Sequence, residues 1–205
     1  MTVIKNLVKR YKNFYKKEFL NEKDKNKYSK QSPKALIISC CDSRVDPAIL
    51  TNSGLGEIFS IRNIANIVPP YKKNKSFEST AAALEFGVCE LKIKNIIVIG
   101  HSECAGIKNL IDNKNQTEFI DSWTKIALNA KKNAKTNNDL MKKKSSLQTL
   151  CELENIKLSL KNLLTYPWIK KEVNQKNVKI IGWYFSLKYG TIKEFDTEKS
   201  EFKVI

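Results

Sequence analysis

The 205-residue chain is 41% hydrophobic, enough apolar surface for one sizeable core and too little for two full domains. Its 37 Lys and Arg against 21 Asp and Glu give a net charge of +16, a balance that raises nucleic acid or a membrane surface as a partner. The excess is lysine scattered among asparagine, arginine occurs only at Arg10, Arg44 and Arg62, and no aromatic-basic interleaving or zinc-finger spacing appears, so neither partner is expected. Five cysteines, an odd number, make no disulfide framework, and residues 1–20 have no continuous apolar core of signal-peptide length. A reducing, cytoplasmic location is the expectation.

Taken in order, Ile4, Leu7, Val8, Tyr11, Tyr15 and Phe19 recur at helical steps between lysines, an amphipathic stripe that suits packing on protein better than lying on a membrane. Residues 21–30 read as a polar linker, which sets the expected organisation as an arm over 1–30 and one α/β domain over 31–205. A buried strand follows at 35–38 and ends in CCDSR, residues 40–44. Asp46-Pro47 then reads as a helix cap and first turn. A second strand is expected at 56–61, leading to the string RNIAN. A helix capped by Ser79 or Thr80 delivers the chain by a βαβ crossover to the central stretch NIIVIGHSECAG, residues 95–106. Further on come a short helix with Ile107, Leu110 and Ile111, and a longer one with Phe119, Trp123, Ile126 and Ala130. The Lys- and Asn-rich run 131–144 is a solvated helix end or loop, and a helix over 147–164 is stopped at Tyr166-Pro167. A fourth strand at 178–182 leads into a final hairpin near Gly190.

In the central stretch the apolar run Ile96, Ile97, Val98 and Ile99 is a fully buried, parallel strand broken by Gly100, so His101 and Cys104 emerge at a carboxyl end, where α/β sheets bind ligands. Cys40 emerges at another. The three make a Cys₂His set with one coordination position left over, which favours catalytic zinc, since closed structural sites use paired CxxC knuckles and the chain has none. Cys41, Cys89 and Cys151 read as small buried hydrophobes. Asp42 either binds the metal itself or accepts a hydrogen bond from zinc-bound water while Arg44 keeps it ionised; a helix cap is the plain structural alternative.

With CxDSR, RNIAN and HxxC at three strand ends, the chain resembles the β-class carbonic anhydrases over roughly residues 31–195, and QSPK (31–34) and NLLTYPW (162–168) are similar to their plant-like branch. The resemblance implies a mostly parallel central sheet flanked by helices, with an amino-terminal helical arm packing on a partner subunit and a dimer as the smallest active unit of a homo-oligomer. It implies one Zn²⁺ per subunit on Cys40, His101 and Cys104, an Asp42–Arg44 dyad, and Asp42 as fourth ligand in a closed state. Gln31, reaching across the interface, together with Phe59, Ile64, Phe86 and Ala105, is implied at the substrate pocket. The implied reaction is reversible hydration of CO₂ to bicarbonate and a proton by zinc-bound hydroxide. Two positions depart from the family: Ala105 replaces a glycine after the second zinc cysteine, and Phe86 stands where a tyrosine is usual. Ile37 occupies the position of the tryptophan that marks a regulatory bicarbonate pocket in some bacterial members, so no such pocket is expected. His101 is the only histidine, which excludes a histidine proton shuttle and leaves external buffer, Tyr or water. The alternatives are a CS₂ or COS hydrolase on the same zinc scaffold and a non-catalytic zinc or nucleic-acid-binding protein.

Overall fold

The computed structural model describes residues 2–22, 29–73, 78–112, 117–140 and 145–205. The chain divides into two compact units, Met1–Gln31 and Ser32–Ile205. The first is built on helix α1 (Val3–Phe14), capped by the Thr2 hydroxyl, which accepts from the Lys5 amide, and extended by a wider π turn over Tyr15–Phe19. Tyr11, Tyr15 and Phe19 stack along it at centroid distances of 6.4 and 5.6 Å, and no residue of α1 is buried. Most of the expected linker, residues 23–28, lies outside the described residues.

In the second unit six strands form one sheet among the described residues: β1 (Ala35–Cys40), β2 (Ile58–Asn63), β3 (Asn95–His101), β4 (Lys179–Ser186), β5 (Thr191–Asp196) and β6 (Glu201–Val204). Their order is β2-β1-β3-β4-β5-β6; the first four are parallel, and β5 and β6 are antiparallel additions. The helices are α2 (Pro47–Leu50), α3 (Ser79–Glu85), α4 (Ala105–Asp112), α5 (Glu118–Thr124), α6 (Leu128–Leu140), α7 (Leu147–Leu163) and α8 (Pro167–Asn174). Leu36, Ile38, Ile61, Ile96 and Val98 face α3, α7 and α8 through Leu84, Ile156, Leu160, Leu163 and Ile169 in the main core. A second core at the carboxyl ends of the strands gathers Cys40, Val45, Ala65 and Cys104 with Ile107, Ala130 and Cys151 from α4, α6 and α7. The other sheet face carries Ile37, Ile97 and Ile99, buried among strand residues. No helix among the described residues is long and apolar enough to cross a membrane.

Several boundaries differ from the sequence reading for identifiable reasons. β2 runs two residues further, through Arg62 and Asn63, because these pair with Ser39 and Cys40 of β1. Helix α3 is capped by Glu78, whose carboxylate accepts from the amides of Thr80 and Ala81, in place of Ser79 or Thr80 themselves. The longer helix expected around Trp123 is two, α5 and α6, joined by a 3₁₀ turn at Lys125–Ala127, and α6 extends into the Lys-rich run as far as Leu140. Pro167 ends α7's segment and also opens α8, since proline fits a first helical turn. The final hairpin acquires a third strand, β6.

α7 lies close against β3 and β4 because both strands carry a glycine beneath it. A β-carbon at Gly100 would stand 2.7 Å from Ile156 Cγ1 and Cδ1; one at Gly182 would stand 2.9 Å from Ile156 Cγ2 and Leu160 Cδ1. Gly100→Ala is therefore expected to cost about 1–3 kcal/mol in a urea melt through overpacking. Gly54→Ala, where the nearest atom is 3.6 Å away, is expected to leave the midpoint within about 1 kcal/mol of wild type. Equal effects at the two sites would show that contact with α7 is not the cause.

Candidate metal centre

The strand order places a reversal between β1 and β3. From β1 the chain moves outward to β2, and from β3 it moves the other way to β4, so the loops diverge and leave a crevice at the two carboxyl ends. Cys40 is the last residue of β1 and His101 the last of β3. Cys104 enters the same crevice because Glu103 adopts a left-handed backbone (φ 59°) that turns the chain back before α4 begins.

The three donors converge. Cys40 Sγ and Cys104 Sγ are 4.0 Å apart, and the candidate ligand atoms of Cys40, His101 and Cys104 all lie within 4.8 Å of one another, all three residues buried. His101 Nδ1 lies 2.9 Å from the Ser102 carbonyl; a carbonyl only accepts, so Nδ1 carries the hydrogen and Nε2 presents its lone pair. That Nε2 is buried without a partner. A tetrahedral zinc ion with two thiolates and an imidazole holds its ligand atoms about 3.5–3.8 Å apart, so small movements bring this set to zinc geometry. The orphaned nitrogen and the paired sulfurs thus fit a metal ion that leaves a fourth position free.

The sulfurs also show what a metal must displace. The hydrogen bond from Cys104 pulls the Cys40 thiol down, helped by His101 and by the amides of Asp42 and Ala65 and opposed by burial. The same bond, with burial, pushes Cys104 up, although the amides of Gly106 and Ile107 in the first turn of α4 donate toward its sulfur. The two buried sulfurs face each other at 4.0 Å, and a cation between them would relieve the cost of burying a thiolate.

Beside this set, Arg44 grips Asp42 in a fork, with Nε to Oδ1 at 2.9 Å and Nη2 to Oδ2 at 2.8 Å, and the Arg44 amide adds a third bond to Oδ1 at 3.0 Å. This bonding holds the Asp42 carboxyl well below the usual carboxylate range. Asp42 is engaged by Arg44 here rather than by the Cys40, His101 and Cys104 set. Asp46 is the cap of α2, accepting from the amides of Ala48 and Ile49.

Of the residues implied at a pocket, Ala105 directly follows Cys104, and Ile64 follows the Asn63 that pairs with Cys40. Ile64 Cγ2 approaches Gly106, and Ala105 is the exposed first residue of α4. The glycine this turn needs is Gly106, where a β-carbon would meet Ile64 Cγ2 at 2.7 Å; at position 105 an ordinary side chain is accommodated. Phe59 and Phe86 stack on each other at 6.0 Å. Phe59 stands level with Leu36, four residues before the Asn63 that pairs with Cys40, or about 13 Å along the strand at 3.3 Å per residue. Gln31 is exposed at the end of the first unit.

Arg62 and Asn63, in the string RNIAN, bond to loop backbone and to the cap residue Asp46. Arg62 donates to the carbonyls of Cys40 (3.1 Å) and Asp42 (2.7 Å) and pairs with Asp46 at 2.9 Å. Asn63 closes a loop with Ile67 through two bonds of 2.9 Å. The sequence reading missed a polar stripe on α7, Gln148, Glu152, Asn155, Ser159 and Asn162. Asn155 donates to Ala65 O, Ser159 to Asn66 O and Asn162 to Val68 O, while Glu152 accepts from the Cys104 amide at 3.0 Å. The signal was available, since these residues recur at steps of four and three along one side of the helix.

A family model described as carbonic anhydrase matches residues 35–192. The curated Beta carbonic anhydrase 3 of Arabidopsis thaliana is 42% identical over 179 residues, covering 84% of this chain and 67% of its own length. Beta carbonic anhydrase 5, chloroplastic, of the same plant is 37% identical over 189 residues, covering 90% of this chain and 62% of its own, so the chain spans somewhat under two thirds of that relative. Among solved structures, the beta-carbonic anhydrase CcaA superposes over the whole of both chains with a TM-score of 0.90 at 30% identity. One of two tetrameric beta-carbonic anhydrases from the ascomycete Sordaria macrospora does so over 94% of this chain and 93% of its own, with a TM-score of 0.76 at 25% identity. Since the family model takes in both strand ends that carry the donors, and the fold superposes from end to end, the chain belongs to the β-class carbonic anhydrases, zinc lyases of CO₂ hydration.

Proposed function

We propose that the chain catalyses reversible hydration of CO₂ to bicarbonate and a proton, with Cys40, His101 and Cys104 holding Zn²⁺ and with Asp42 and Arg44 as the catalytic pair. The observation that carries this reading is the convergence of two sulfurs and an unpartnered imidazole nitrogen beside the Arg44-bound carboxylate of Asp42. When bound there, Zn²⁺ supplies a Lewis acid that lets water act as a nucleophile near neutral pH. Asp42, ionised and able only to accept, takes a hydrogen bond from the reacting water and points its lone pair toward CO₂. Arg44 keeps that carboxylate ionised and turned away from the ligand set; release of the fork would let Asp42 take the fourth position, which is the closed state. Ile64 and Ala105 border the crevice and limit the room for substrate.

We also infer a homo-oligomer, at least a dimer, with residues 1–30 as its arm. α1 exposes Val3, Ile4, Leu7, Val8 and Tyr11 along one side, an apolar surface that a second copy would cover. Phe59, about 13 Å along β2 from Asn63, and Phe86 stacked on it would meet substrate in a partner's pocket, and the same reading sets Gln31 across the interface. A cytoplasmic location is supported by the need of Cys40 and Cys104 to stay reduced.

Stopped-flow hydration by the zinc-loaded protein is expected to be faster at pH 8.5 than at pH 7. Because Arg44 holds the Asp42 carboxyl well below both values, Asp42 stays ionised throughout and does not supply the rise; zinc held by Cys40, His101 and Cys104 would acidify water less than a three-histidine site, since two thiolates offset its charge. Cys104→Ser should abolish the rate; no hydration at either pH with zinc present would overturn the assignment. Asp42→Asn, which keeps the shape and removes the charge, is expected to retain zinc and lose about 10²-fold or more in rate. In light scattering, Leu7→Asp with Tyr11→Asp is expected to reduce the particle to a monomer; an unchanged mass would remove α1 from the interface.

A further inference from the structure

We propose that Glu152 of α7 is a positioning residue for the metal, fixing the turn that delivers Cys104 Sγ to Cys40 and His101; this rests on the reading of those three residues as zinc ligands. Glu152 is 2% exposed, a place where a carboxylate is costly and an apolar side chain of similar size would ordinarily be preferred. Its neighbours explain its presence. Oε1 accepts from the Cys104 amide at 3.0 Å and from Gln148 Nε2 at 3.1 Å, and Oε2 accepts from the Tyr184 hydroxyl at 3.0 Å. Gln148 Nε2 also reaches the Cys104 carbonyl at 3.4 Å, so one helical turn of α7 grips Cys104 by both its backbone groups.

The turn needs such a grip. It has a left-handed non-glycine residue, Glu103, at its apex, a conformation that persists only where the surroundings over-determine it. Its near side is pinned by the Ser102 amide to Phe185 O (3.0 Å) and by the Leu187 amide to the Ser102 hydroxyl (2.9 Å). On the far side the Cys104 amide is buried and Glu152 is its recorded acceptor. Without that acceptor, a buried donor next to a ligand is left unpaired, and the turn gains a reason to rotate the sulfur away. Tyr184 stands on β4 beside Gly100 of β3, so the carboxylate ties α7, the sheet and the ligand turn at one point.

The test is a cycle of metal against mutation. Apo and zinc-loaded melting temperatures, the zinc dissociation constant by chelator competition, and the visible spectrum of the Co²⁺ form are measured for wild type, Glu152→Ala and Glu152→Gln. Glu152→Ala is expected to weaken zinc about 10- to 100-fold, to lower the zinc-loaded melting temperature more than the apo one, and to alter the Co²⁺ bands. Glu152→Gln, which keeps an oxygen for the Cys104 amide, is expected to stay within about threefold of wild type. Equal losses of apo and zinc-loaded stability with an unchanged dissociation constant would overturn the proposal, as would Glu152→Gln falling as far as Glu152→Ala. Should Glu152→Ala not fold, Gln148→Met, at a half-buried site, is expected to weaken zinc with the apo melting temperature unchanged; no weakening would count against it. Wild-type protein that gains no stability from zinc would instead sink the ligand assignment itself.

Discussion

The polar stripe of α7 is the constraint on which the rest of this structure depends. Two loops must carry irregular backbone into the interior, one through the left-handed pair Ala65 and Asn66 (φ 63° and 47°), the other through Glu103. Buried irregular backbone is intolerable unless its carbonyls and amides find partners, and here one straight helix supplies them in register. Asn155, Ser159 and Asn162 serve the first loop; Gln148 and Glu152 serve the second. The apolar flank of the same helix, Ile156, Leu160 and Leu163, settles on the sheet over Gly100 and Gly182. With Lys161 the exposed residue of α7 and both flanks of the polar stripe packed inward, the position of α7 fixes sheet and loops together.

Around that spine the site separates labour by residue type. Groups with a single geometric duty stay away from the reacting position: Arg62 ties down the backbone after Cys40, and Asp46 spends its carboxylate on a helix cap and on Arg62. Groups with chemical duty are left with unspent capacity. His101 Nε2 has no partner among the described residues, the sulfurs of Cys40 and Cys104 face each other at 4.0 Å, and Asp42 is held at one edge by a half-exposed arginine. The contrast between Arg62 and Asp46, bonded to fixed neighbours, and the unpartnered His101 Nε2 marks the crevice.

Much of this was legible beforehand, and the boundary is instructive. Four apolar residues before Gly100 were enough to place His101 at a strand end, and Asp46-Pro47 behaved as local chemistry requires, because both signals are contained within a few neighbours. Glu78 as the cap of α3, β2's extension through Asn63, and the split at Lys125–Ala127 depended on pairing or packing with distant segments, which no local window contains. α7 is the deeper case. Its polar residues do have a period, but a period of polar residues reads as a solvated face, and only the presence of two buried loops reverses that meaning. The resemblance implies Phe59 and Ile64 at one pocket, whereas the register of β2 sets Phe59 level with Leu36, four residues before Asn63.

The fixed tautomer of His101 makes the chain its own reporter. With a single imidazole in 205 residues, the aromatic region of a proton spectrum holds one pair of imidazole carbon-bound protons, free of assignment ambiguity. Nδ1 is committed to the Ser102 carbonyl and Nε2 is the free ring nitrogen, and Cδ2 and Cε1 both flank Nε2, so both carbon-bound protons sense that side of the ring. A change in what Nε2 contacts therefore shifts both resonances together, and the state of the crevice can be followed from one side chain.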